Sequence, residues 1–251
     1  MTLLDKTNTL VIVPAYNEQD SIVSVIEEIK ATGFSFVVID DGSTDETRNR
    51  AIAAGARTIS LPFNAGVGGA LKCGFKYALV NGYVAIIQCD ADGQHPTLHF
   101  LKLIESSNSG SAELVIGSRF ESDLTSMRMS KTRKAGVWLL VKVLKNRYPV
   151  LVNDPSSGFR LIRRPLLDDL AIVMQNQYLG DTFGAVAIAA RRGAKIIEVG
   201  TPFSEREAGV PSANSCIAAF KLGQALFEFA LGTSIHRPRV GGQRKAQEQK
   251  T

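Results

Sequence analysis

The feature that most constrains this chain is the alternation of short apolar runs with helical periodicity between residues 10 and 120. Such an alternation predicts an α/β fold with an open, mostly parallel, Rossmann-like sheet and helices on both of its faces. The expected strands are residues 10–13, 36–39, 57–61, 83–89, 114–117 and 195–199. The first expected helix follows Asp20 or Ser21 and ends at Gly33. Further helices are expected at about 44–54, 67–81 and 180–192, and another is expected after Pro96.

Polar clusters come directly after these strands, at 14–18, 40–45, 64–70 and 90–95. In open α/β sheets, ligands bind beyond the carboxyl ends of the strands. The chain therefore has the layout of a nucleotide-binding sheet.

The strongest local feature is Asp90-Ala91-Asp92, which follows the strand at 83–89. Two carboxylates one residue apart repel each other unless a cation lies between them. Mg²⁺ and Mn²⁺ prefer carboxylate oxygens and keep further positions for water and phosphate. The pattern indicates a metal that neutralises a diphosphate, and an ordinary acidic turn is the alternative for an isolated motif of this kind.

Two other clusters suit a nucleotide. Asp41 lies where a carboxylate would accept hydrogen bonds from a base or a ribose, and Ser43 and Asp45 are expected to cap the next helix. The glycine-rich segment 64–70 enters a helix whose free N–H groups could face phosphate or ribose. No Gly-Lys-Ser/Thr follows it, so it is not a P-loop.

The charge pattern is uneven. The net charge is +5, and residues 236–251 contribute five Lys or Arg against one Glu, so this basic tail is predicted to be disordered and nucleic acid is not an expected partner. No acidic residue occurs between 124 and 148, where basic residues alternate with apolar ones around Trp138. This segment predicts a basic amphipathic helix, which suits an anionic membrane surface or anionic ligands, although a solvated face has similar odds.

The C-terminal region 213–235 predicts a second, largely apolar amphipathic helix, with core packing, membrane insertion and oligomer packing as alternatives. The opening residues lack a secretion signal, and no apolar run reaches the roughly 18 residues of a membrane span. The three cysteines have no disulfide or zinc spacing. We therefore expect a cytoplasmic protein that lies peripherally on the cytoplasmic face of the membrane.

Seven motifs, taken in order, resemble the inverting GT-A glycosyltransferases of family 2. Four of them are Pro14-Ala15-Tyr16-Asn17-Glu18, Val38–Asp45, Asn64-x-Gly66-x-Gly68-x-Ala70 and Asp90–His95. The others are similar to the dolichyl-phosphate mannose synthase branch, which moves a sugar from a nucleotide donor onto a polyprenyl phosphate; they are Gly117-Ser118-Arg119, Ser157-Gly158-Phe159-Arg160 and Phe203-x-x-Arg206-x-x-Gly209. The resemblance covers about residues 10–212.

This resemblance implies a GT-A domain at 1–212, with a nucleotide-sugar half at about 8–120 and an acceptor half at about 121–212. The residues implied to bind the nucleotide sugar are Pro14, Ala15, Tyr16, Glu18, Asp41, Asn64, Gly66, Gly68, Lys72, Asp90 and Gln94. Asp90, Asp92 and Gln94 would hold Mg²⁺ or Mn²⁺. Those implied to bind the acceptor are Arg119, Arg133, Ser157 and Arg160. A structural ion pair is the alternative for Arg119, and a plain surface charge for Arg133.

The resemblance also implies that Asp92, Asp181 and Arg206 take part in catalysis, with Arg206 on the donor phosphates. A hydroxyl acceptor needs a carboxylate base, whereas a phosphate acceptor is already an anion. Asp181 would therefore act as a base or orient the acceptor, and helix capping is its alternative.

The expected activity is an inverting transfer to a polyprenyl phosphate, and a homo-oligomer or a small membrane-protein partner is compatible with the pattern. The alternatives are a soluble transferase that acts on a sugar hydroxyl of a glycan or protein, and a non-catalytic nucleotide-sugar-binding subunit.

Overall fold

The structure is a computed structural model that describes residues 2–119, 131–148, 150–173 and 182–203. The strands are β1 (Thr9–Ala15), β2 (Ser35–Asp40), β3 (Thr58–Ser60), β4 (Ala85–Gln88), β5 (Leu114–Ser118), β6 (Arg160–Arg163) and β7 (Ile196–Gly200). The helices are α1 (Ile22–Thr32), α2 (Thr47–Ala53), α3 (Val67–Val80), α4 (Phe100–Gly110), α5 (Lys131–Arg147), α6 (Leu166–Val173) and α7 (Phe183–Arg192), and a 3-10 turn lies at Thr97–His99.

The described strands form one seven-stranded sheet in the order β3-β2-β1-β4-β6-β5-β7. The pairs β1–β2, β1–β4, β2–β3 and β5–β7 are parallel. Strand β6 is antiparallel to both of its neighbours, β4 and β5. The prediction of an open, mostly parallel α/β sheet is confirmed.

Helices pack on both faces of the sheet, as the alternating strand residues require. In β1, the side chains of Val11 and Val13 join the hydrophobic cluster under α1 and α4. Those of Leu10 and Ile12 join the cluster under α3, α6 and α7. Because both faces are covered, the polar residues of the sheet collect at the strand ends.

Strand β6 and helix α6 were not among the elements expected from the sequence. Arg160 and Arg163 are the first and last residues of β6, in which only Leu161 and Ile162 are apolar. Both arginines are nonetheless buried. Internal hydrogen bonds stabilise them: Arg160 donates to the Thr182 carbonyl, and Arg163 donates to Ser107 Oγ. A short strand with buried charged ends carries no apolar pattern to read.

Helix α2 begins at Thr47, three residues later than the expected start at Thr44. The residue at the N-cap position is Glu46, and its side chain makes no capping hydrogen bond, so the prediction of Asp45 as the cap is wrong. Asp45 lies in the turn before the helix, where its Oδ1 accepts the Thr47 N–H at 2.9 Å. Ser43 does not cap the helix either, since its hydroxyl accepts the Asn17 N–H at 3.0 Å and joins the first two strand-end loops.

The expected basic helix at 124–148 corresponds to α5. Among the residues the structure describes, no helix combines the length and the apolar character that crossing a bilayer requires. The predicted C-terminal helix at 213–235 and the basic tail at 236–251 lie outside the described residues.

Candidate active site

The predicted site residues of the first half meet at one edge of the sheet. Ala15, the last residue of β1, is in register with Asp40 of β2. The Asp41 N–H donates to the Ala15 carbonyl at 2.9 Å, and the Cys89 N–H donates to the Ile12 carbonyl at 3.0 Å. The polar residues that follow β1, β2 and β4 therefore share one edge, as the parallel order predicts.

Asp41 joins the β2 end to the glycine-rich segment. Its side chain is almost fully buried, and its Oδ1 accepts the Ala65 N–H at 2.8 Å. Burial raises the pKa of Asp41, and the neighbouring charge of Asp40 acts in the same direction. A buried carboxylate beside backbone N–H groups suits a hydrogen-bond donor such as a base N–H or a ribose hydroxyl.

Gly42 allows these two loops to approach closely. Its φ is +71°, and a Cβ there would lie 2.7 Å from the Phe63 carbonyl carbon and 2.9 Å from the Asn64 N. The Asn64 side chain then accepts the Gly66 N–H at 2.9 Å, just before α3. Gly68 is buried in the first turn of α3.

The β1 end presents one exposed aromatic side chain. Pro14 and Ala15 lie within β1, whereas 43% of Tyr16 is exposed. Two hydrogen bonds fix Glu18 near the first turns of α1 and α2. Its N–H donates to Thr47 Oγ1 at 2.7 Å, and its carboxylate accepts the Ser21 hydroxyl at 3.1 Å. Tyr16 is thus placed where a planar base could pack on it. Lys72 is half-buried on α3.

The carboxylate pair that follows β4 is half-buried. The Gln94 N–H donates to Asp92 Oδ1 at 3.1 Å, and Gln88 Nε2 donates to Asp90 Oδ1 at 3.4 Å. No group of three or more His, Cys, Asp or Glu side chains suited to a metal ion occurs within the described ranges. Two half-buried carboxylates fit Mg²⁺ or Mn²⁺, which bind through one or two carboxylates together with substrate phosphates.

His95 contacts this pair, as expected of the segment 94–96, which the sequence indicates as a source of a further polar ligand or contact. Its Nδ1 accepts the Asp90 N–H at 2.8 Å, and its Nε2 lies 3.5 Å from Asp90 Oδ2. Burial lowers the pKa of His95 to about 4, and the charge of Asp92 opposes this shift. The ring is therefore neutral near pH 7. The signal that indicates it in the sequence is its place in the motif 90–95.

The acceptor residues predicted from the resemblance make internal contacts. Arg119 forms a buried bidentate ion pair with Asp154, with Nε–Oδ2 at 2.8 Å and Nη2–Oδ1 at 2.6 Å. The Ser157 hydroxyl donates to the Gly117 carbonyl at 2.6 Å, and the fully buried Arg160 donates to the Thr182 carbonyl at 3.0 Å. The ion pair left open for Arg119 is present, and the acceptor roles stay predictions.

Asp154 and Glu198 are residues that the sequence reasoning missed. The Glu198 carboxylate of β7 accepts the N–H groups of Asn153 and Asp154, both at 2.7 Å. Glu198 thereby fixes the segment whose Asp154 holds Arg119. Asp154 stands just before the motif 157–160, whereas nothing in the local sequence distinguishes Glu198 from a solvated strand residue.

The last three predicted site residues are Arg133, Asp181 and Arg206. Arg133 lies in the first turn of α5. Asp181 and Arg206 lie outside the described residues, so their predicted roles remain predictions.

Comparison with known sequences gives a match to one family over most of the chain. The model of Glycosyl transferase family 2 matches residues 10–171. The polyprenol monophosphomannose synthase of Mycolicibacterium smegmatis is 29% identical over an alignment of 247 positions that covers 91% of this chain and 88% of that protein.

Two further relatives are also named for lipid phosphates. The undecaprenyl-phosphate mannosyltransferase of Micrococcus luteus is 28% identical, over 80% of this chain and 85% of its own length. The UDP-N-acetylglucosamine–dolichyl-phosphate N-acetylglucosaminyltransferase of Methanococcus voltae is 27% identical, over 88% of this chain and 95% of its own length.

A solved structure is similar in fold. The glucosyl-3-phosphoglycerate synthase from Mycobacterium tuberculosis, in complex with Mn²⁺, UDP-glucose and phosphoglyceric acid, aligns with a TM-score of 0.58 and 25% identity. The alignment covers 86% of this chain and 79% of that one.

Proposed function

Since this chain belongs to glycosyl transferase family 2, as its motifs indicated, we propose that it transfers a sugar from a nucleotide-diphosphate sugar to a polyprenyl phosphate. The observation that carries the donor half of the proposal is the convergence of Asp41, Asp90 and Asp92 at one sheet edge. The acceptor half is supported by relatives named for polyprenol, undecaprenyl and dolichyl phosphates.

In this proposal the donor lies across the strand ends. Tyr16 and Asp41 take the base and ribose, and the entry to α3 at Asn64–Gly68 lies beside them, with Lys72 one turn further along. Asp90 and Asp92, with Gln94, hold Mg²⁺ or Mn²⁺, which when bound supplies positive charge to the diphosphate leaving group. The fold neighbour that binds Mn²⁺ and UDP-glucose supports this arrangement.

Inversion requires in-line attack on the anomeric carbon, opposite the diphosphate. A phosphate acceptor is already an anion, so the residues of the chain need only position it and stabilise charge. Arg119 and Arg133, with Ser157 and Arg160 behind them, are the proposed acceptor side, and Arg206 is the proposed contact to the donor phosphates. Asp181 then orients the acceptor and need not remove a proton.

The proposed membrane contact is the exposed part of α5. Trp138 is 62% exposed and Leu139 is 39% exposed, and the Lys142 Nζ lies 4.9 Å from the centre of the Trp138 ring. Exposed apolar side chains flanked by lysine and arginine suit an anionic bilayer surface. We place the protein on the cytoplasmic face, where such lipids are found.

The decisive experiment incubates the purified protein with Mg²⁺ or Mn²⁺, a panel of nucleotide sugars and a short polyprenyl phosphate. We expect one sugar to appear on the lipid, with loss of product after addition of EDTA. Asp92→Asn should abolish transfer, whereas Glu105→Gln, which removes an exposed carboxylate on α4, should not. A fully active Asp92→Asn protein would contradict the metal site, and transfer only to a sugar hydroxyl would contradict the lipid acceptor.

The membrane contact has its own test in flotation with phosphatidylglycerol vesicles. The paired variant Trp138→Ala with Leu139→Ala should lose most of the bound fraction at low salt. The control is Val80→Ala, because Val80 is an exposed apolar residue (87% exposed) that lies on α3 and not on the proposed membrane contact. Equal flotation of both variants would place the contact elsewhere, in a C-terminal segment or in a membrane-protein partner.

A further inference from the structure

The Asp90 carboxylate is enclosed by three neighbours that come from different parts of the chain. Gln88 Nε2 donates to its Oδ1 at 3.4 Å, and His95 Nε2 lies 3.5 Å from its Oδ2. Gly158 closes the third side, because a Cβ built there would lie 2.7 Å from Oδ2 and 3.3 Å from Oδ1. The position of the carboxylate is therefore set by its surroundings on both oxygens.

The orientation of the His95 ring follows from its backbone contact. Nδ1 accepts the Asp90 N–H at 2.8 Å, so Nδ1 carries no proton in this contact. Nε2 of the same ring lies 3.5 Å from Asp90 Oδ2, so the ring also lies beside the carboxylate. One side chain thus contacts both the main chain and the side chain of Asp90.

Two aromatic rings hold His95 in this orientation. The centre of the His95 ring lies 5.2 Å from those of Phe159 and Phe203, and the contact with Phe203 is edge-to-face. Phe159 is fully buried and follows Gly158 directly in the chain. The segment 158–159 therefore contacts Asp90 directly through Gly158 and indirectly through Phe159 and His95.

We propose that His95 and Gly158 are positioning residues, which together hold the Asp90 carboxylate in the orientation that binds the divalent cation. The inference rests on the proposed function, because it concerns the metal of the same site. Residues that orient a metal-binding side chain commonly change metal affinity by about 10–100-fold when they are replaced. Gly158 acts by leaving room for the carboxylate, and His95 acts through its contacts with the Asp90 N–H and with Oδ2.

Gly158→Ala separates positioning from folding. The φ of Gly158 is outside the left-handed region, so the backbone accepts alanine, and the added methyl group meets a carboxylate at the end of a flexible, partly exposed side chain. The carboxylate can turn away at little cost in stability, but it then leaves its metal-binding orientation. Gly184→Ala is the matched control, because no atom of the described part of the chain lies within 4 Å of a Cβ at that position.

His95→Asn provides a second, independent variant. An asparagine oxygen can still accept the Asp90 N–H in place of Nδ1, whereas its shorter side chain does not reach the Oδ2 side. This variant retains the hydrogen bond to the Asp90 N–H and removes the contact with Oδ2, and the parallel thermal unfolding measures the cost of losing the ring contacts with Phe159 and Phe203.

The readout is the dissociation constant of Mn²⁺ alone, measured on the full chain by the electron paramagnetic resonance of free Mn²⁺, with thermal unfolding in parallel. We expect a rise of about 10–100-fold in Gly158→Ala and in His95→Asn, and less than about 2-fold in Gly184→Ala. Wild-type Mn²⁺ affinity in a folded His95→Asn protein, or no Mn²⁺ binding by the wild-type chain, would overturn the inference.

The transfer assay separates this inference from the proposed function. If the wild-type chain binds Mn²⁺ and the two variants lose affinity, the positioning role stands even when no lipid-linked sugar forms. If transfer occurs normally but the variants keep their Mn²⁺ affinity, the proposed function stands and the positioning role falls.

Discussion

Replacing Asp154 by asparagine tests whether the buried ion pair with Arg119 is a structural element of this fold. Arg119 is 7% exposed and Asp154 is fully buried. The carboxylate accepts from Nε at 2.8 Å, from Nη2 at 2.6 Å and from the Arg119 N–H at 3.1 Å. The asparagine amide would keep one acceptor, but it would turn a donor toward the donors of the guanidinium.

The magnitude follows from the burial of both partners. Removing one charge of a buried pair leaves the other uncompensated and costs about 3–5 kcal/mol. For a chain of this size, each kcal/mol lowers the melting temperature by roughly 2–4 °C. We therefore expect Asp154→Asn to melt roughly 6–20 °C below the wild type. The exposed pair Arg164–Asp168 is the control, and Asp168→Asn should cost less than about 1 kcal/mol.

The assay is thermal and urea unfolding followed by circular dichroism, at low and at moderate salt. A double variant, Arg119→Met with Asp154→Leu, removes both charges and should recover most of the lost stability. The reasoning is refuted if Asp154→Asn loses no more stability than Asp168→Asn, since the pair would then behave like a solvated one.

Three further predictions concern stability, and two of them concern its pH dependence. Asp41→Asn should raise the melting temperature at pH 7 while weakening nucleotide-sugar binding: burial raises the pKa of Asp41, so its stability contribution is present at low pH and lost as the pH rises through the folded pKa. Asp45→Asn should change the pH dependence of the melting temperature in the opposite direction, because hydrogen bonds from Thr47 lower the pKa of Asp45 despite its desolvation. Melting curves between pH 3 and pH 8 check both variants, and isothermal titration with the donor checks nucleotide-sugar binding. Equal slopes of melting temperature against pH for the two variants would contradict both predictions. Gly74→Ala should cost about 1–3 kcal/mol in urea unfolding, because its Cβ would lie 2.6 Å from Ile12 Cγ2 across the α3–β1 interface, and an unchanged midpoint would contradict that packing.

The donor side of the sheet was predictable from local sequence. Buried parallel strands appear as continuous apolar runs, and the carboxyl ends of such strands meet at one edge. The contact of Asp41 with Ala65 therefore joins two clusters that the sequence had already marked, and that of Asp40 with Ser43 lies within one of them. Boundaries moved by a few residues where a side chain took a contact from another loop, as Ser43 did with Asn17.

The acceptor side was less predictable because its organisation depends on pairing between distant segments. The order of elements along the chain suggests that β5 follows β4 in the sheet, but β6 lies between them with Gln88 opposite Arg160. The burial of Arg160 and of Asp154 depends on partners that are distant in the sequence. Local periodicity carries no information about such pairings.

The inserted strand also explains why the two parts of the site depend on each other. Because β6 is antiparallel to β4, the segment that leads into it arrives at the same edge where β4 ends, and this brings Gly158 against Asp90. The same segment carries Ser157, whose hydroxyl donates to the Gly117 carbonyl two residues before Arg119. A displacement of residues 157–159 would therefore move the Asp90 carboxylate and the Arg119 end of β5 together. For this reason, variants at Gly158 should be judged by Mn²⁺ affinity and by acceptor binding side by side.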